Sequence, residues 1–230
     1  MSQYPEVEHL KDGKSRLGGY GDVYFRFSEA SYSQFLKDRA AMESASDEFE
    51  RDEFDNGAFE HGVKTIVFAA LSVEASINDY GAWQLGDSYF EDHLNALDVL
   101  SKWVVVPRLV CGKEMNKGGA AYSRLVSLIR ARHQLIHNKS REFNPHDPEL
   151  PKLLETRTLQ FEAQVHNAYR ALLLLSLEFD YLLGPMYNPL RSLDRKVSPC
   201  LTVPANLVEV HAECKDVAAR HRRRNASSIE

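Results

Sequence analysis

The segment from Arg130 to His137 concentrates side chains that could perform acid–base chemistry on a phosphate. It contains two arginines, Arg130 and Arg132, and two histidines, His133 and His137. A histidine titrates near neutral pH and can accept or donate a proton, and an arginine cation can stabilise an anionic transition state. This combination suits RNA cleavage through the ribose 2′-hydroxyl, a reaction that requires no metal ion and no other cofactor.

A helix from about residue 120 to residue 138 is predicted to position these side chains. Its apolar residues recur at helical spacing: Tyr122, Leu125, Leu128, Ile129, Leu135 and Ile136. In a projection at about 100° per residue, Arg132 falls near the middle of the apolar arc and Ala131 falls on the opposite side. His133 lies at one edge of that arc, and His137 lies just beyond it beside Arg130.

An arginine that points into an apolar face needs a carboxylate partner, a cavity or a subunit interface, because the guanidinium cannot lose its charge. Glu74 is a candidate partner, since it lies on the apolar stripe of another predicted helix, at residues 58–83. Asn78 follows one turn later. In an alternative, purely structural interpretation of the motif, Arg132 and Glu74 form a buried ion pair, and the histidines are incidental polar residues.

The hydrophobic pattern predicts an all-α protein. Helices are expected at about 28–54, 58–83, 90–104, 120–138, 149–183 and 205–220. Pro107 is expected to end the third of these helices. The glycine-punctuated residues 1–27 are read as a turn that leads into a short extended piece, and residues 185–204 are read as irregular.

The bulk composition argues against several classes of protein. A net charge of -5 means that nucleic acid would have to bind at a local basic patch, at residues 124–141 or 220–224. The second patch is more simply read as a frayed terminus. Three widely spaced cysteines indicate a reducing compartment. No secretory signal or apolar run of membrane-spanning length is found, so a cytoplasmic protein without membrane contact is expected.

Metal binding has little support in the sequence. His133 and His137 are the one pair at ligand spacing, and they lack the adjacent carboxylate of a zinc-protease helix. No metal site is therefore expected. Four isolated histidines are predicted to be surface or capping residues: His61, His93, His166 and His211.

The stretch from Arg132 to His137 resembles the Arg-x4–6-His signature of the HEPN superfamily. A polar residue commonly follows the arginine in that family, as His133 does here, whereas Ala131 follows Arg130. The resemblance extends beyond the motif: Leu71–Asn78 is similar to the first core helix of such domains, Leu100–Lys113 to their middle segment, and Leu128–Lys139 to the whole motif helix. The resemblance covers about residues 58–184.

This resemblance implies an antiparallel four- to five-helix up-and-down bundle at residues 56–184. It would be flanked by an N-terminal segment with a charged helix at 1–55. On the other side, an irregular C-terminal segment with a short helix and a basic tail would occupy residues 185–230. Many HEPN proteins are metal-independent endoribonucleases in toxin–antitoxin or phage-defence systems. They form homodimers in which two motifs line one cleft for RNA, and some pair with a nucleotidyltransferase antitoxin.

Carried over to this chain, the resemblance assigns a role to each residue of the motif. Arg132 would contact the scissile phosphate, and His137 would be the acid or base. His133 would orient the site or bind phosphate. The supporting residues would be Glu74, Asn78 and Arg130.

Two alternatives remain open at the level of sequence. In one, the chain is a non-catalytic HEPN-like module that binds a protein partner or a nucleotide. In the other, it is an unrelated helical bundle in which the motif is accidental.

Overall fold

The structure of the chain, a computed structural model, describes residues 19–140, 142–199 and 201–227. Within these ranges it consists of helices joined by turns and contains no β-strand, so the predicted all-α class is confirmed. The helices are α1 (Gly21–Ser44), α2 (Glu48–Leu85), α3 (Asp87–His93), α4 (Val99–Cys111), α5 (Ala120–Ile136), α6 (Leu150–Leu183) and α7 (Val208–Ser227). A single 3₁₀ turn, Ala205–Leu207, precedes α7.

Helix α1 begins at Gly21, where the sequence predicted a short extended piece, and that prediction was wrong. The part of the predicted turn before residue 19 lies outside the described residues. The hydroxyl of Ser72 donates a hydrogen bond of 2.9 Å to the carbonyl oxygen of Gly21. A Cβ atom at Gly21 would collide with the side chain of Ser76. The start of α1 is therefore fixed by close contact with α2, and α1 then buries Phe25, Tyr32 and Phe35 against the core.

Helix α2 runs without interruption for 38 residues, although a break near residues 55–57 was expected. The break lies earlier, at Asp47, whose carboxylate accepts a hydrogen bond of 2.8 Å from the backbone N–H of Glu50. The Glu50 carboxylate in turn accepts from the backbone N–H of Ser46, also at 2.8 Å. These reciprocal bonds satisfy free donors at the helix start, so the acidic run forms the first turns of α2.

The single helix predicted at 90–104 is divided into α3 and α4. The carboxylate of Asp98 caps α4 by accepting from the backbone N–H of Ser101 at 3.1 Å. Pro107 lies inside α4 and does not end it. The helix ends at Gly112, whose φ of 71° lies in the left-handed region that glycine adopts without strain.

The directions of the long helices follow from their side-chain contacts. Early residues of α2 contact early residues of α6, since Gly62 lies against Phe161 and Val165. Later residues of the two helices are also close, because Trp103 contacts both Val73 of α2 and Phe179 of α6. These two helices therefore run parallel. Helix α1 is antiparallel to both, and α5 is antiparallel to α6. One end of the molecule thus gathers the last turns of α1 and α5 with the first turns of α2 and α6, and we call it the motif end.

Helix α7 packs along α6 and carries most of the basic C-terminal residues. Arg222, expected in a frayed terminus, donates a hydrogen bond of 3.3 Å to the carbonyl oxygen of Leu177. Its guanidinium lies 5.1 Å from the ring centre of Tyr181. The frayed-terminus interpretation is therefore wrong for Arg222. Among the described residues, no helix combines the length and the apolar character needed to cross a bilayer.

Candidate functional site

The last two turns of α5 carry the motif, and their buried face differs from the predicted one. Ala131 was placed on the polar side but is 1% exposed, whereas Ile136 was placed in the apolar arc and is 52% exposed. Helix α5 packs against both α2 and α6, so its buried arc is wide and turned toward Ala131. The remaining buried residues of the helix are Ala121, Leu125 and Leu128.

Arg132 is half-buried, as its place in the apolar arc suggested. In the part of the chain that the structure describes, it forms no ion pair with Glu74 and no other polar contact. The structural interpretation of Arg132 as one half of a buried ion pair is therefore wrong. A half-buried guanidinium that has no acceptor within the described ranges can bind an anion from outside the protomer.

The two α2 residues expected to support the motif, Glu74 and Asn78, lie beside a different cation. The Lys102 side chain is 3% exposed, and its Nζ donates a hydrogen bond of 3.0 Å to Oδ1 of Asn78. The same ammonium lies 5.5 Å from the ring centre of Phe90. Burial lowers the pKa of Lys102, and the nearby charge of Glu74 opposes that shift. Sequence reasoning missed this buried lysine, although a carboxylate on an apolar stripe signalled that a cation was near.

His133 and His137 are brought together at the exposed end of α5. Their ring centres are 4.3 Å apart, with 49° between the ring planes. His137 is the C-terminal capping residue of the helix, and its backbone N–H donates to the carbonyl oxygen of His133 at 3.0 Å. Arg130 is also exposed. Two imidazoles and a guanidinium are thus presented on one helix end, with Arg132 set deeper in the same helix.

The surroundings of this helix end are unusually apolar for a surface. Among the described residues, seven of the fourteen large hydrophobic residues that are exposed lie at the motif end or in the loop from α5 to α6. The first turns of α6 contribute three of them, and residues 151–160 are exposed throughout. A concentration of exposed apolar residues in one region is typical of an interaction site. The seven residues are Phe49, Phe59, Ile136, Phe143, Leu153, Leu154 and Leu159.

A second polar cluster, which the sequence did not reveal, lies between α1, α6 and α7. The hydroxyl of Tyr169 lies 2.8 Å from Nε2 of His211 and donates to Oε2 of Glu29 at 3.2 Å. All three residues are buried. Burial lowers the pKa of His211 to about 4 and raises the pKa values of Glu29 and Tyr169. His211 was predicted to be a surface or capping residue, and that prediction was wrong, because its partners are distant in sequence.

His166 is likewise less exposed than its isolated position in the sequence suggested. The hydroxyl of Tyr32 forms a hydrogen bond of 2.8 Å with its Nδ1. Burial lowers the pKa of His166, and the positive charge of Arg170 acts in the same direction. A neutral imidazole is consistent with this packing.

Comparison with known proteins finds no matching family model, no matching curated protein and no matching solved structure. Within the described ranges, no three His, Cys, Asp or Glu side chains are grouped as a metal site requires.

Proposed function

We propose that this chain is a metal-independent endoribonuclease of the HEPN type that acts as a homodimer. The observation that carries the proposal is the pairing of His133 with His137, 4.3 Å apart, at the exposed end of α5. Arg132, which is half-buried and has no ionic partner among the described residues, lies in the same turn. These are the groups that 2′-hydroxyl attack on a phosphodiester requires.

In the proposed reaction, one imidazole of the cleft accepts the proton of the ribose 2′-hydroxyl. The 2′-oxygen then attacks the adjacent phosphorus, and the bond from phosphorus to the 5′-oxygen of the next nucleotide breaks. An imidazolium protonates that leaving oxygen, so the products are a 2′,3′-cyclic phosphate and a free 5′-hydroxyl. His137 is assigned the acid–base role, Arg132 stabilises the charged phosphorane, and His133 positions the phosphate. Arg130 adds positive charge at the rim.

A second copy of the chain would complete the site. The exposed apolar residues around the motif end suit burial against the same surface of another protomer, as an isologous dimer requires. Residues 56–184 would then correspond to the HEPN-like up-and-down bundle, with α1 and α7 packed outside it. A cytoplasmic toxin or phage-defence role, with an antitoxin such as a nucleotidyltransferase, belongs to the same proposal.

The test is cleavage of total RNA and tRNA in EDTA by the wild type and by single variants. We expect His137→Ala and Arg132→Ala each to reduce cleavage at least about 100-fold, because each removes a group that acts in the transition state. His146→Ala is the matched control, since His146 is exposed in the loop after α5 and lies outside the motif. This control should cleave at the wild-type rate.

Circular dichroism and thermal unfolding must show that all variants are folded. Cleavage that survives both His137→Ala and Arg132→Ala would contradict the assignment of the site. If a folded wild type cleaves no RNA, the non-catalytic alternative is favoured. In that case the exposed apolar surface at the motif end would bind a protein partner.

A further inference from the structure

A cavity, distinct from the motif on α5, opens between α6, residues 193–196, residues 201–203 and α7. Its volume is about 600 Å³, within the range of sites that bind small organic ligands. Its lining is partly apolar and includes Leu177, Leu193, Leu201 and Val203. The lining also includes four cationic side chains: Arg195, Lys196, Lys215 and Arg222.

The cavity carries an excess of positive charge. Two carboxylates also line it, Asp180 and Asp194, but both are engaged within the protein. Asp180 is buried and accepts a hydrogen bond of 2.8 Å from Nδ2 of Asn188, and Asp194 accepts one of 2.8 Å from the backbone N–H of Lys196. Lys215 forms no ion pair with any described residue. Four cations around one cavity attract an anion.

Two side chains that line the cavity, His211 and Arg222, are held in place by the protein, and each has one nitrogen without a hydrogen-bond partner among the described residues. His211 is 5% exposed and is held through Nε2 by Tyr169, while its Nδ1 makes no hydrogen bond to the described part of the chain. The Nε of Arg222 is buried and has no hydrogen-bond acceptor in the part of the chain that is described. A buried donor without an acceptor is unfavourable, and an anionic ligand would satisfy it.

We propose that this cavity binds an organic phosphate monoester with an aromatic or apolar group, such as a nucleoside monophosphate. The guanidinium and ammonium groups would hold the phosphate through charge-assisted hydrogen bonds. The leucine and valine side chains would pack against the apolar group, and Nδ1 of His211 would contact a polar edge of the ligand. The proposal stands independently of the ribonuclease proposal.

Isothermal titration calorimetry of the full chain with 5′-AMP, phenyl phosphate and adenosine tests this site. We expect AMP to bind at least about tenfold more tightly than adenosine, because adenosine lacks the group that the cations recognise. Lys215→Ala and the double variant Arg195→Ala/Lys196→Ala should each weaken AMP binding about tenfold. These side chains are exposed, so the variants are expected to fold.

Arg220→Ala is the matched control, because Arg220 is exposed on α7 and does not line the cavity. It should leave the affinity for AMP within about twofold of the wild type. The double variant Arg130→Ala/Arg132→Ala should also bind AMP normally, which separates this cavity from the motif on α5. The proposal is overturned if folded wild type binds neither AMP nor phenyl phosphate at millimolar concentration. It is also overturned if adenosine binds as tightly as AMP, or if either control weakens binding as much as Lys215→Ala does.

Discussion

At the interface of α6 and α7, the imidazole of His211 is enclosed and bonded through Nε2 to the hydroxyl of Tyr169. Burial lowers its pKa to about 4, and the positive charge of Lys215 acts in the same direction. An unfolded chain would hold this histidine near pKa 6.5. Between these values the unfolded state binds more protons than the folded state. The stability contributed by neutral His211 is therefore complete above pH 6.5 and is lost as the pH falls toward 4.

We predict that His211→Gln makes the protein less sensitive to mild acid. Between pH 7 and pH 5, the wild type should lose about 2 kcal/mol of unfolding free energy through His211 alone. The variant should lose about 2 kcal/mol less than the wild type over the same range, even if it is less stable at pH 7. Urea unfolding at both pH values measures this difference.

The buried carboxyls act in the opposite direction, which is why the comparison between variants is needed. Burial raises the pKa values of Glu29, Glu178 and Asp180, so these groups stabilise the folded state as the pH falls. They are present in both proteins and largely cancel in the difference. His146→Gln, at an exposed histidine, should retain the acid sensitivity of the wild type. Equal acid sensitivity of wild type and His211→Gln would show that His211 does not contribute.

At the scale of single residues, the positions of the motif side chains on the helix were predictable from the sequence, but the residues that surround the expected supporting side chains were not. The histidine pair follows from the i, i+4 spacing on a helix, which places His133 and His137 on neighbouring turns. The position of Arg132 in the apolar arc followed from the same periodicity. The cation near Glu74 could not be predicted from periodicity. It is Lys102, which lies on another helix, and only the packing of α4 against α2 brings the two residues together.

At the scale of elements, α2 and α6 approach closely where Gly62 lies. A Cβ atom there would be 2.7 Å from a ring carbon of Phe161 and 2.9 Å from Cγ2 of Val165. We predict that Gly62→Ala destabilises the protein by about 1–3 kcal/mol, because overpacking forces the two helices apart. Urea unfolding measures the loss.

Gly57→Ala is the internal control for this prediction. It lies in the same helix, and an added Cβ would meet only the Asp38 carboxylate, at 3.3 Å. Alanine favours a helix interior over glycine by roughly 0.5–1 kcal/mol. Gly57→Ala should therefore be clearly more stable than Gly62→Ala, and equal stabilities would argue against close α2–α6 packing.

Helix bounds were predictable where the local sequence of the helix sets them. The observed bounds of α5 and α6 lie within two residues of the expected ones, because helical periodicity is sustained over both, and α6 ends at a strong breaker, Gly184. The start of α1 was not predictable, because it depends on Ser72 and Ser76. The cluster of Glu29 with Tyr169 joins residues 140 positions apart, which no local pattern encodes.

At the scale of the whole molecule, the apolar surface is unevenly distributed. The first ten residues after Leu150 in α6 are exposed, and their leucines lie beyond the packed part of the bundle. These leucines could be buried only by contact with another molecule, such as a second copy of the chain. The site on α5 lies beside this surface, so assembly through the motif end would bring two copies of Arg132 and His137 together.

On the proposed function, we predict that Leu154→Glu/Leu159→Glu converts the proposed homodimer into a monomer and abolishes the proposed RNA cleavage. Two carboxylates buried in an apolar interface without cations would weaken association at least about 100-fold. Size-exclusion chromatography with light scattering measures the mass, and circular dichroism should show unchanged helicity, since both positions are exposed in the protomer.

Met186→Glu/Val208→Glu is the matched control, because it adds the same charge at exposed apolar residues outside the motif end. This variant should remain dimeric and active. If both double variants remain dimeric, the interface lies elsewhere. If the wild type is monomeric yet cleaves RNA, one protomer suffices for cleavage, and the apolar residues at the motif end serve a different partner. A variant that is monomeric and fully active would separate dimerisation from catalysis, because the Arg132–His137 pair of a single α5 would then be sufficient.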